Sequence, residues 1–238
     1  MTADPRLIVP LDLPTTDEAR DMVRRLGDAV SFYKIGLELL AGDGMALAHE
    51  LKANGKQVFL DWKLHDIGAT VERSARVLAG SGCDLLTVHA EPQVMKAAVK
   101  ARDGEARGDS ALKVLAVTVL TSLTDADLAE MGYAFTARDL VERRVRQALE
   151  CGVDGVVSSP HEAALAREIA HAAARPDFLI VTPGVRPEWS ARNDQARAAA
   201  PADALRAGAS HLVCGRPITG APDPRAAALK VIEEMAAA

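Results

Sequence analysis

Short runs of apolar and β-branched residues recur along the whole chain, and amphipathic, alanine-rich stretches separate them. The runs are apolar throughout rather than alternating, which is typical of strands that are buried on both faces of a parallel sheet. We therefore predict strands at Leu7–Leu11, Ser31–Ile35, Gln57–Trp62, Leu85–His89, Val114–Leu120, Gly155–Ser158, Phe178–Thr182 and His211–Cys214.

The stretches between these runs carry the signals of helices. Thr16 and the two acids after it resemble a capped helix start, and Ala137 to Glu150 places its apolar residues near one face. The segment Thr121–Thr136 is longer than a usual strand-to-helix loop, and we expect a short extra helix in it. Glycines that stop helices before the next strand are expected at Gly55, in Gly80–Gly82, at Gly152 and at Gly208.

Repeated strand–helix units without a linker or low-complexity stretch predict a single-domain α/β protein, a (β/α)8 TIM barrel over residues 1–238. An open doubly wound sheet is the alternative, but no glycine-rich fingerprint follows the first strand. The longest irregular stretch is Pro183–Pro201, after the seventh strand. We expect this loop, about residues 183–201, to act as a lid.

Composition narrows the class of protein. The 238 residues carry a formal net charge of −5, and 49% of them are hydrophobic, as in ordinary globular proteins. The apolar runs are far shorter than a membrane helix requires, no basic secretory segment is visible, and the negative charge disfavours nonspecific nucleic-acid binding. Cys83, Cys151 and Cys214 form no CxxC pair, so we expect buried thiols in a reducing cytoplasm.

Ionisable side chains stand at the ends of the first three predicted strands. A barrel of this kind carries its chemistry at the carboxyl ends of its strands, where Asp12, Lys34, Asp61 and Lys63 are found. Asp61 and Lys63 are two residues apart, so both leave the same face of the strand. A structural cluster of ion pairs is the alternative, weakened because buried ion pairs rarely improve stability. The spacing does not decide whether Asp66 lies in the site, in solvent or at a subunit contact.

A second group of residues follows the last two strands. Barrel enzymes frequently bind a phosphate between these two loops. Arg186 and Arg216 offer planar forks for an anion, and Gly215 allows the backbone to approach it closely. Two solvated arginines near turns are the alternative, but their joint position favours a phosphorylated ligand.

These residues resemble the orotidine 5′-phosphate decarboxylase family. Asp61 to Ile67 reads Asp-Trp-Lys-Leu-His-Asp-Ile and matches its D-x-K-x-x-D pattern, and the resemblance runs from Leu7 to about Ile218. The pattern alone is shared with related sugar-phosphate barrels, whereas the full set of motifs in this order is strongly specific. The other motifs are Leu11-Asp12, Lys34-Ile35-Gly36, Val117–Ser122, Thr182-Pro183-Gly184-Val185-Arg186 with Gln195, and Gly215-Arg216-Pro217-Ile218.

The resemblance implies that orotidine 5′-monophosphate loses CO₂ to give UMP in de novo pyrimidine synthesis, without a metal or an organic cofactor. It implies that Asp12 contacts the ribose, that Lys34 serves a ribose hydroxyl and the charge network, that Asp61 lies beside the substrate carboxylate, and that Lys63 protonates C6. It further implies a homodimer with shared sites and no nucleic-acid or membrane partner. The remaining implied residues are Asp66, Ile67 and Thr70 in the neighbouring subunit's site, Thr121 and Ser122 at the pyrimidine, Arg186, Gln195, Gly215 and Arg216 at the phosphate, and Pro183 at the start of the closing loop.

The chain departs from the family's usual pattern at three positions. Ala69 stands where asparagine is usual, which puts the local hydrogen bonding in doubt. Asn193 stands where glycine is usual, and asparagine tolerates a positive φ better than most residues. Trp62 replaces a common aliphatic residue, and we expect it to point away from Asp61 and to pack between barrel and helices.

Two other functions are the alternatives to this decarboxylation. A metal-dependent sugar-phosphate decarboxylase or aldol synthase on the same scaffold generally has an acidic ligand on the second strand, where this chain has Lys34. A catalytically silent nucleotide-binding protein would not need the Asp61, Lys63 and Asp66 set. His65, His89 and His161 could act as general bases, but packed or hydrogen-bonded histidines are the favoured interpretation.

Overall fold

Parallel strands close into a barrel in the computed structural model, which describes residues 3–105, 112–190 and 199–238. Each strand pairs with its successor, and β8 pairs with β1 through Leu7 beside Leu212. This last pairing confirms the predicted (β/α)8 barrel and excludes the open sheet. The strands are β1 Leu7–Pro10, β2 Phe32–Ile35, β3 Gln57–Leu64, β4 Leu85–His89, β5 Lys113–Val117, β6 Gly155–Val157, β7 Leu179–Pro183 and β8 His211–Val213.

Helices cover the outside of the barrel between the strands. The helix predicted over Ala137 to Glu150 is present at Ala137–Cys151, and the extra helix predicted within Thr121–Thr136 is present at Asp125–Glu130. In the part of the chain described, no helix is long and apolar enough to cross a membrane. The helices are α1 Thr16–Leu26, α2 Leu37–Leu40, α3 Gly44–Ala53, α4 Gly68–Ala79, α5 Pro92–Glu105, α6 Asp125–Glu130, α7 Ala137–Cys151, α8 Ala163–Ala172, α9 Pro201–Arg206, α10 Arg216–Thr219 and α11 Pro224–Met235.

Two apolar layers hold these elements together. The larger layer fills the space between strands and helices, and Trp62 packs within it, as predicted. The smaller layer fills the barrel interior. Phe59 belongs to that interior layer, and because side chains alternate along a strand, Asp61 follows it on the inward face. The interior residues are Ile8, Phe32, Phe59, Leu85, Leu115, Val181 and Val213.

Two strand ends differ from the prediction by more than one residue. β5 ends at Val117 rather than Leu120, because His89 and Val157, its partners there, are the last residues of β4 and β6. β3 continues to Leu64, and its register against β4 shifts between Leu60 and Leu64. The irregularity in β3 therefore surrounds Lys63.

The helix ends largely follow the prediction. Gly152 adopts a left-handed conformation with a φ of 78° and ends α7. The cap of α1 is Thr15 rather than Thr16, since its side chain accepts a hydrogen bond from the Glu18 amide. Within Gly80–Gly82, the left-handed residue is Gly82.

Candidate active site

Four side chains from β2, β3 and the segment after β1 form an alternating row of charges. The Lys34 ammonium lies 2.9 Å from Asp12 Oδ1 and 3.4 Å from Asp61 Oδ2. Lys63 Nζ lies 2.9 Å from Asp61 Oδ1. The sequence predicted this alternation of carboxylates and ammoniums, and the structure brings all four together at the carboxyl end of the barrel.

Asp61 is the central anion of this row. Burial works to raise the pKa of its carboxyl, but the charges of Lys34 and Lys63 and the hydrogen bonds from Lys63 and Thr87 outweigh burial and hold the pKa below its ordinary value. The Asp61 side chain is 15% exposed, and Lys63 is 27% exposed. The site therefore presents an ammonium, held by an ionised carboxylate, at the edge of a cavity.

The cavity has a volume of about 380 Å³ and is bordered by the charged row on one side. The walls nearer β5 and β6 are largely apolar. Such a combination of apolar walls and a few convergent polar groups is typical of small-molecule sites. Of the predicted site residues, the cavity is lined by Asp12, Lys34, Asp61, Lys63, Thr121, Pro183, Arg186, Gly215 and Arg216.

The far side of the cavity is formed by the segments after β7 and β8. The backbone amide of Arg186 donates to the Ala199 carbonyl at 2.9 Å, and Val185 and Ala199 form a parallel bridge. These contacts fix the backbone at Arg186. A Cβ built on Gly215 would lie 2.9 Å from Pro10 Cγ, so this segment requires glycine to approach β1. Two arginines and a close backbone approach suit an anionic group.

Some predicted residues do not line this cavity. Asp66 and Ser122 are exposed, and Ile67 is 68% exposed. The Asp66 carboxylate accepts a hydrogen bond from the Ile67 amide, while the Thr70 hydroxyl accepts one from Arg73. Asp66 and Ile67 are instead exposed just before α4, and Thr70 is half-buried in the first turn of that helix. Gln195 and Asn193 lie outside the described residues, together with the middle of the predicted lid, residues 191–198.

The structure adds residues that the sequence analysis missed. Gly36 leaves room for the Lys34–Asp12 pair, because a Cβ there would lie 2.6 Å from Asp12 Oδ1. Ser158 lines the cavity, and its buried hydroxyl has no hydrogen-bond partner in the described part of the chain. The Lys34-Ile35-Gly36 motif contained the first of these residues, but no sequence signal gave its steric role.

His65, which directly follows β3, packs against His89 at the end of β4 beside the site. The rings of His65 and His89 lie 4.6 Å apart, and His65 Nε2 is 3.6 Å from Glu91. Burial lowers the pKa of His89. Neither ring lines the cavity, so these contacts favour the packed interpretation for His65 and His89 over a general base. His161 is exposed and does not line the cavity either.

The carboxylates of the site are the side chains that a metal ion would require as ligands. Within residues 3–105, 112–190 and 199–238, no group of three or more His, Cys, Asp or Glu side chains is arranged to hold a metal ion. Asp12 and Asp61 are instead joined through Lys34. The Lys34 ammonium thus occupies the position between the two carboxylates that a metal ion would need.

Comparisons with known proteins give a consistent result. Residues 5–231 match the family model described as orotidine 5′-phosphate decarboxylase / HUMPS family. The chain is 85% identical over 236 residues to an orotidine 5′-phosphate decarboxylase of Caulobacter vibrioides strain NA1000, covering 99% of both chains. It is 55% identical to one from Rhodopseudomonas palustris strain BisB5, covering 99% of this chain and 98% of the relative. The crystal structure of the Lactobacillus acidophilus orotidine 5′-phosphate decarboxylase superposes with a TM-score of 0.84 at 36% identity, covering 98% of this chain and 99% of that chain.

Proposed function

The chain belongs to the orotidine 5′-phosphate decarboxylase / HUMPS family, and from this membership we propose that it converts orotidine 5′-monophosphate to UMP and CO₂. The reaction completes de novo pyrimidine synthesis and is a carboxy-lyase step. The observation that carries the proposal is the Lys63 ammonium, which lies 2.9 Å from the Asp61 carboxylate at a cavity that Arg186 and Arg216 also line.

Lys63 supplies the cation and the proton. When the C6–carboxylate bond breaks, CO₂ leaves and its bonding electron pair stays on C6, where no π system receives it. Two unit charges about 4 Å apart interact by about 4 kcal/mol at an effective dielectric near 20. An ammonium that lowers the barrier by this amount raises the rate about a thousandfold. The Lys63 proton then passes to C6, and the neutral amine regains a proton from water.

Asp61, Lys34 and Asp12 hold that cation and the ribose. Asp61 keeps Lys63 oriented and lies beside the departing carboxylate. The repulsion between the two carboxylates is relieved as CO₂ leaves. Lys34 links Asp61 to Asp12 through contacts of 3.4 and 2.9 Å. In this proposal the outer pair, Lys34 and Asp12, binds the ribose hydroxyls.

The phosphate binds at the other side of the cavity. Arg186, Gly215 and Arg216 hold it, and Gln195 and the loop of residues 183–201 close over it. Thr121 and Ser122 contact the pyrimidine in this proposal. The phosphate is remote from the breaking bond, so its binding energy serves closure and the exclusion of water.

The proposal includes a homodimer and a cytoplasmic location. Asp66, Ile67 and Thr70 are outside their own chain's cavity, and Ile67 exposes an apolar side chain beside them. A partner chain would cover this segment and receive Asp66 in its site. The cytoplasmic location rests on Cys83, Cys151 and Cys214, which are free and buried.

A decarboxylation assay tests the proposed function. The ultraviolet absorbance of orotidine 5′-monophosphate should change with wild-type protein, equally with and without EDTA. Lys63→Ala should lower kcat by at least about a thousandfold, while UMP binding stays measurable by calorimetry. The matched control is Lys100→Ala, an exposed lysine paired with Glu72 outside the site.

The outcomes separate the candidate functions. Loss of wild-type turnover in EDTA would favour the metal-dependent sugar-phosphate enzyme. UMP binding without any turnover would favour the silent nucleotide-binding protein. Normal turnover by Lys63→Ala would remove this lysine from the proposed mechanism.

A further inference from the structure

Thr87, in the middle of β4, touches both members of the Asp61–Lys63 pair but does not line the cavity. The Thr87 side chain is fully buried. Its hydroxyl lies 3.0 Å from Asp61 Oδ1, and the backbone amide of Lys63 lies 2.9 Å from the same hydroxyl. One hydroxyl thus joins the carboxylate to the backbone of the lysine.

The backbone of Lys63 is unusual at this contact. Its φ is 48°, in the left-handed region that disfavours residues with a Cβ. The register of β3 against β4 shifts here, between Leu60 and Leu64. The Lys63 amide therefore donates to a side chain of β4, and the Thr87 hydroxyl stabilises a backbone conformation that the ladder does not supply.

The direction of the two hydrogen bonds follows from the chemistry. The Lys63 amide can only donate, so the Thr87 oxygen accepts from it. The single hydroxyl hydrogen is then free to point to Asp61 Oδ1, which also faces Lys63 Nζ at 2.9 Å. The other oxygen of the carboxylate faces Lys34. Thr87 thus fixes which carboxylate oxygen serves which lysine.

We propose that Thr87 is a positioning residue for the proposed decarboxylation, which sets both the Lys63 backbone and the Asp61 carboxylate without touching the substrate. This inference rests on the proposed function. The contact also affects the pKa of Asp61. Burial raises this pKa, whereas the charges of Lys34 and Lys63 and, to a smaller extent, the Thr87 hydrogen bond lower it.

Thr87→Val tests the inference, because valine keeps the shape and removes the hydroxyl. We expect kcat to fall about 10- to 100-fold with KM changed by less than about threefold, since the pair that acts in the transition state is affected more than substrate binding. Thr87→Ser keeps the hydroxyl and should restore kcat to within about fivefold of wild type.

The pH dependence of kcat gives a readout that a purely structural role would not move. The charged groups around Asp61 are Lys34 from β2 and Lys63 from its own strand, with Asp12 beyond Lys34, and none changes in Thr87→Val. Without the hydroxyl the pKa of Asp61 rises. The acid limb of the profile should therefore move to higher pH, and Thr87→Ser should leave it in place.

Thr118→Val is the matched control. Thr118 is also a buried threonine, directly after β5, but its hydroxyl donates to the backbone carbonyl of Val157 rather than to a charged side chain of the site. It should retain kcat and the pH profile. If Thr87→Val does not fold, Thr87→Ala is measured in the same way.

The outcomes decide between positioning and stability. Wild-type kcat and pH profile in Thr87→Val, or an equal loss in Thr87→Ser, would overturn the inference. So would failure of both Thr87→Val and Thr87→Ala to fold while Thr118→Val folds, since Thr87 would then be a stability residue. An inactive wild-type protein would instead refute the proposed function itself.

Discussion

At the scale of single residues, the site depends on a buried lysine between two carboxylates. Lys34 is 10% exposed, and its ammonium contacts Asp12 and Asp61. A charge removed from water is costly unless it is paired, and removing one partner of such a pair costs more than the pair contributes. The Asp12 side chain is 52% exposed, so it is the member of the row that can most easily move away.

Gly36→Ala should disturb this row without touching a charged residue. An added Cβ would lie 2.6 Å from Asp12 Oδ1 and 3.1 Å from Lys34 Nζ. The exposed Asp12 should rotate away, so we expect KM for orotidine 5′-monophosphate to rise about tenfold, as for the loss of one charged hydrogen bond. Steady-state kinetics and the thermal midpoint check this expectation.

The control is Gly42→Ala, at a position where a Cβ meets nothing closer than 3.8 Å. It should keep wild-type kinetics. An unchanged KM in Gly36→Ala, with the Asp12–Lys34 contact intact in its crystal structure, would contradict the steric role.

The charged residues were predictable from the sequence, whereas those that position them were not. Asp61 and Lys63 stand two apart at a strand end, and that periodicity indicates one face. Thr87 gives no comparable signal, because a threonine inside an apolar strand is an ordinary β-former. Its role depends on the φ of Lys63 and on the register shift beside it, which are tertiary features.

At the scale of elements, the amino-terminal ends of the strands carry a repeated contact. A polar side chain just before an even-numbered strand accepts from the backbone amide of the preceding strand and also from a cation of a preceding helix. We call these three contacts the strand latches. They are Asp84 with the Val58 amide and Lys52, Asp154 with the Val114 amide and Arg102, and Ser210 with the Ile180 amide and Arg167.

Asp84→Ala should weaken the barrel without changing its chemistry. Its carboxylate accepts from the Val58 amide at 2.7 Å and from Lys52 at 2.7 Å, and it is 28% exposed. Removing it should lower the free energy of unfolding by about 2 kcal/mol, a figure that allows for partial solvent screening. Urea denaturation measures the loss, and kcat should remain that of wild type because the latch lies at the opposite end from Lys63.

Asp84→Asn is the graded comparison, because its amide oxygen can still accept from Val58 while the charge opposite Lys52 is lost. We expect it to lose about half as much stability. Equal stability of Asp84→Ala and wild type would show that water replaces the latch without cost.

For the elements too, features set by a segment's own sequence were predictable, whereas features set by its neighbours in the fold were not. The run Val114–Leu120 is apolar to its end, yet β5 ends at Val117 because β4 and β6 end beside it. Strand length is thus set by neighbours rather than by the strand's own residues. The existence and order of the strands, which depend on apolar periodicity, were confirmed.

At the scale of the whole molecule, the barrel separates chemistry from stability. The cavity lies at the carboxyl ends of the strands, and the latches lie at the amino ends. His211, the first residue of β8, also lies at the amino end, where its ring meets Phe32 edge-on at 5.9 Å. In the described residues, His211 Nδ1 has no hydrogen-bond partner.

His211 should make stability depend on pH. Burial, aided by the charge of Lys113, lowers its pKa to about 4 from an ordinary value of 6.5. The unfolded chain therefore binds the proton more readily, so stability is full above pH 6.5 and falls as the pH drops towards 4. Between pH 7 and 4.5 this loss amounts to about 2–3 kcal/mol.

His211→Gln should remove that part of the loss, which urea denaturation at pH 7 and pH 4.5 would measure. His171→Gln, at an exposed position of α8, should behave as wild type. An identical pH dependence in wild type and His211→Gln would show that the buried ring is not the responsible group.

The exposed start of α4 makes the final prediction a test of the whole assembly. Asp66 lies outside its own cavity, and the 68% exposed Ile67 follows it, so we propose that Asp66 serves the site of a second chain. Lys63→Ala and Asp66→Ala homodimers should each be inactive. In their heterodimer, one site combines both substitutions, and the other combines a native Lys63 with a native Asp66. Differently tagged chains, purified as verified heterodimers, should therefore recover about half of the wild-type kcat per dimer. If Asp66 acted within its own chain, neither site would be complete, and the heterodimer would stay inactive.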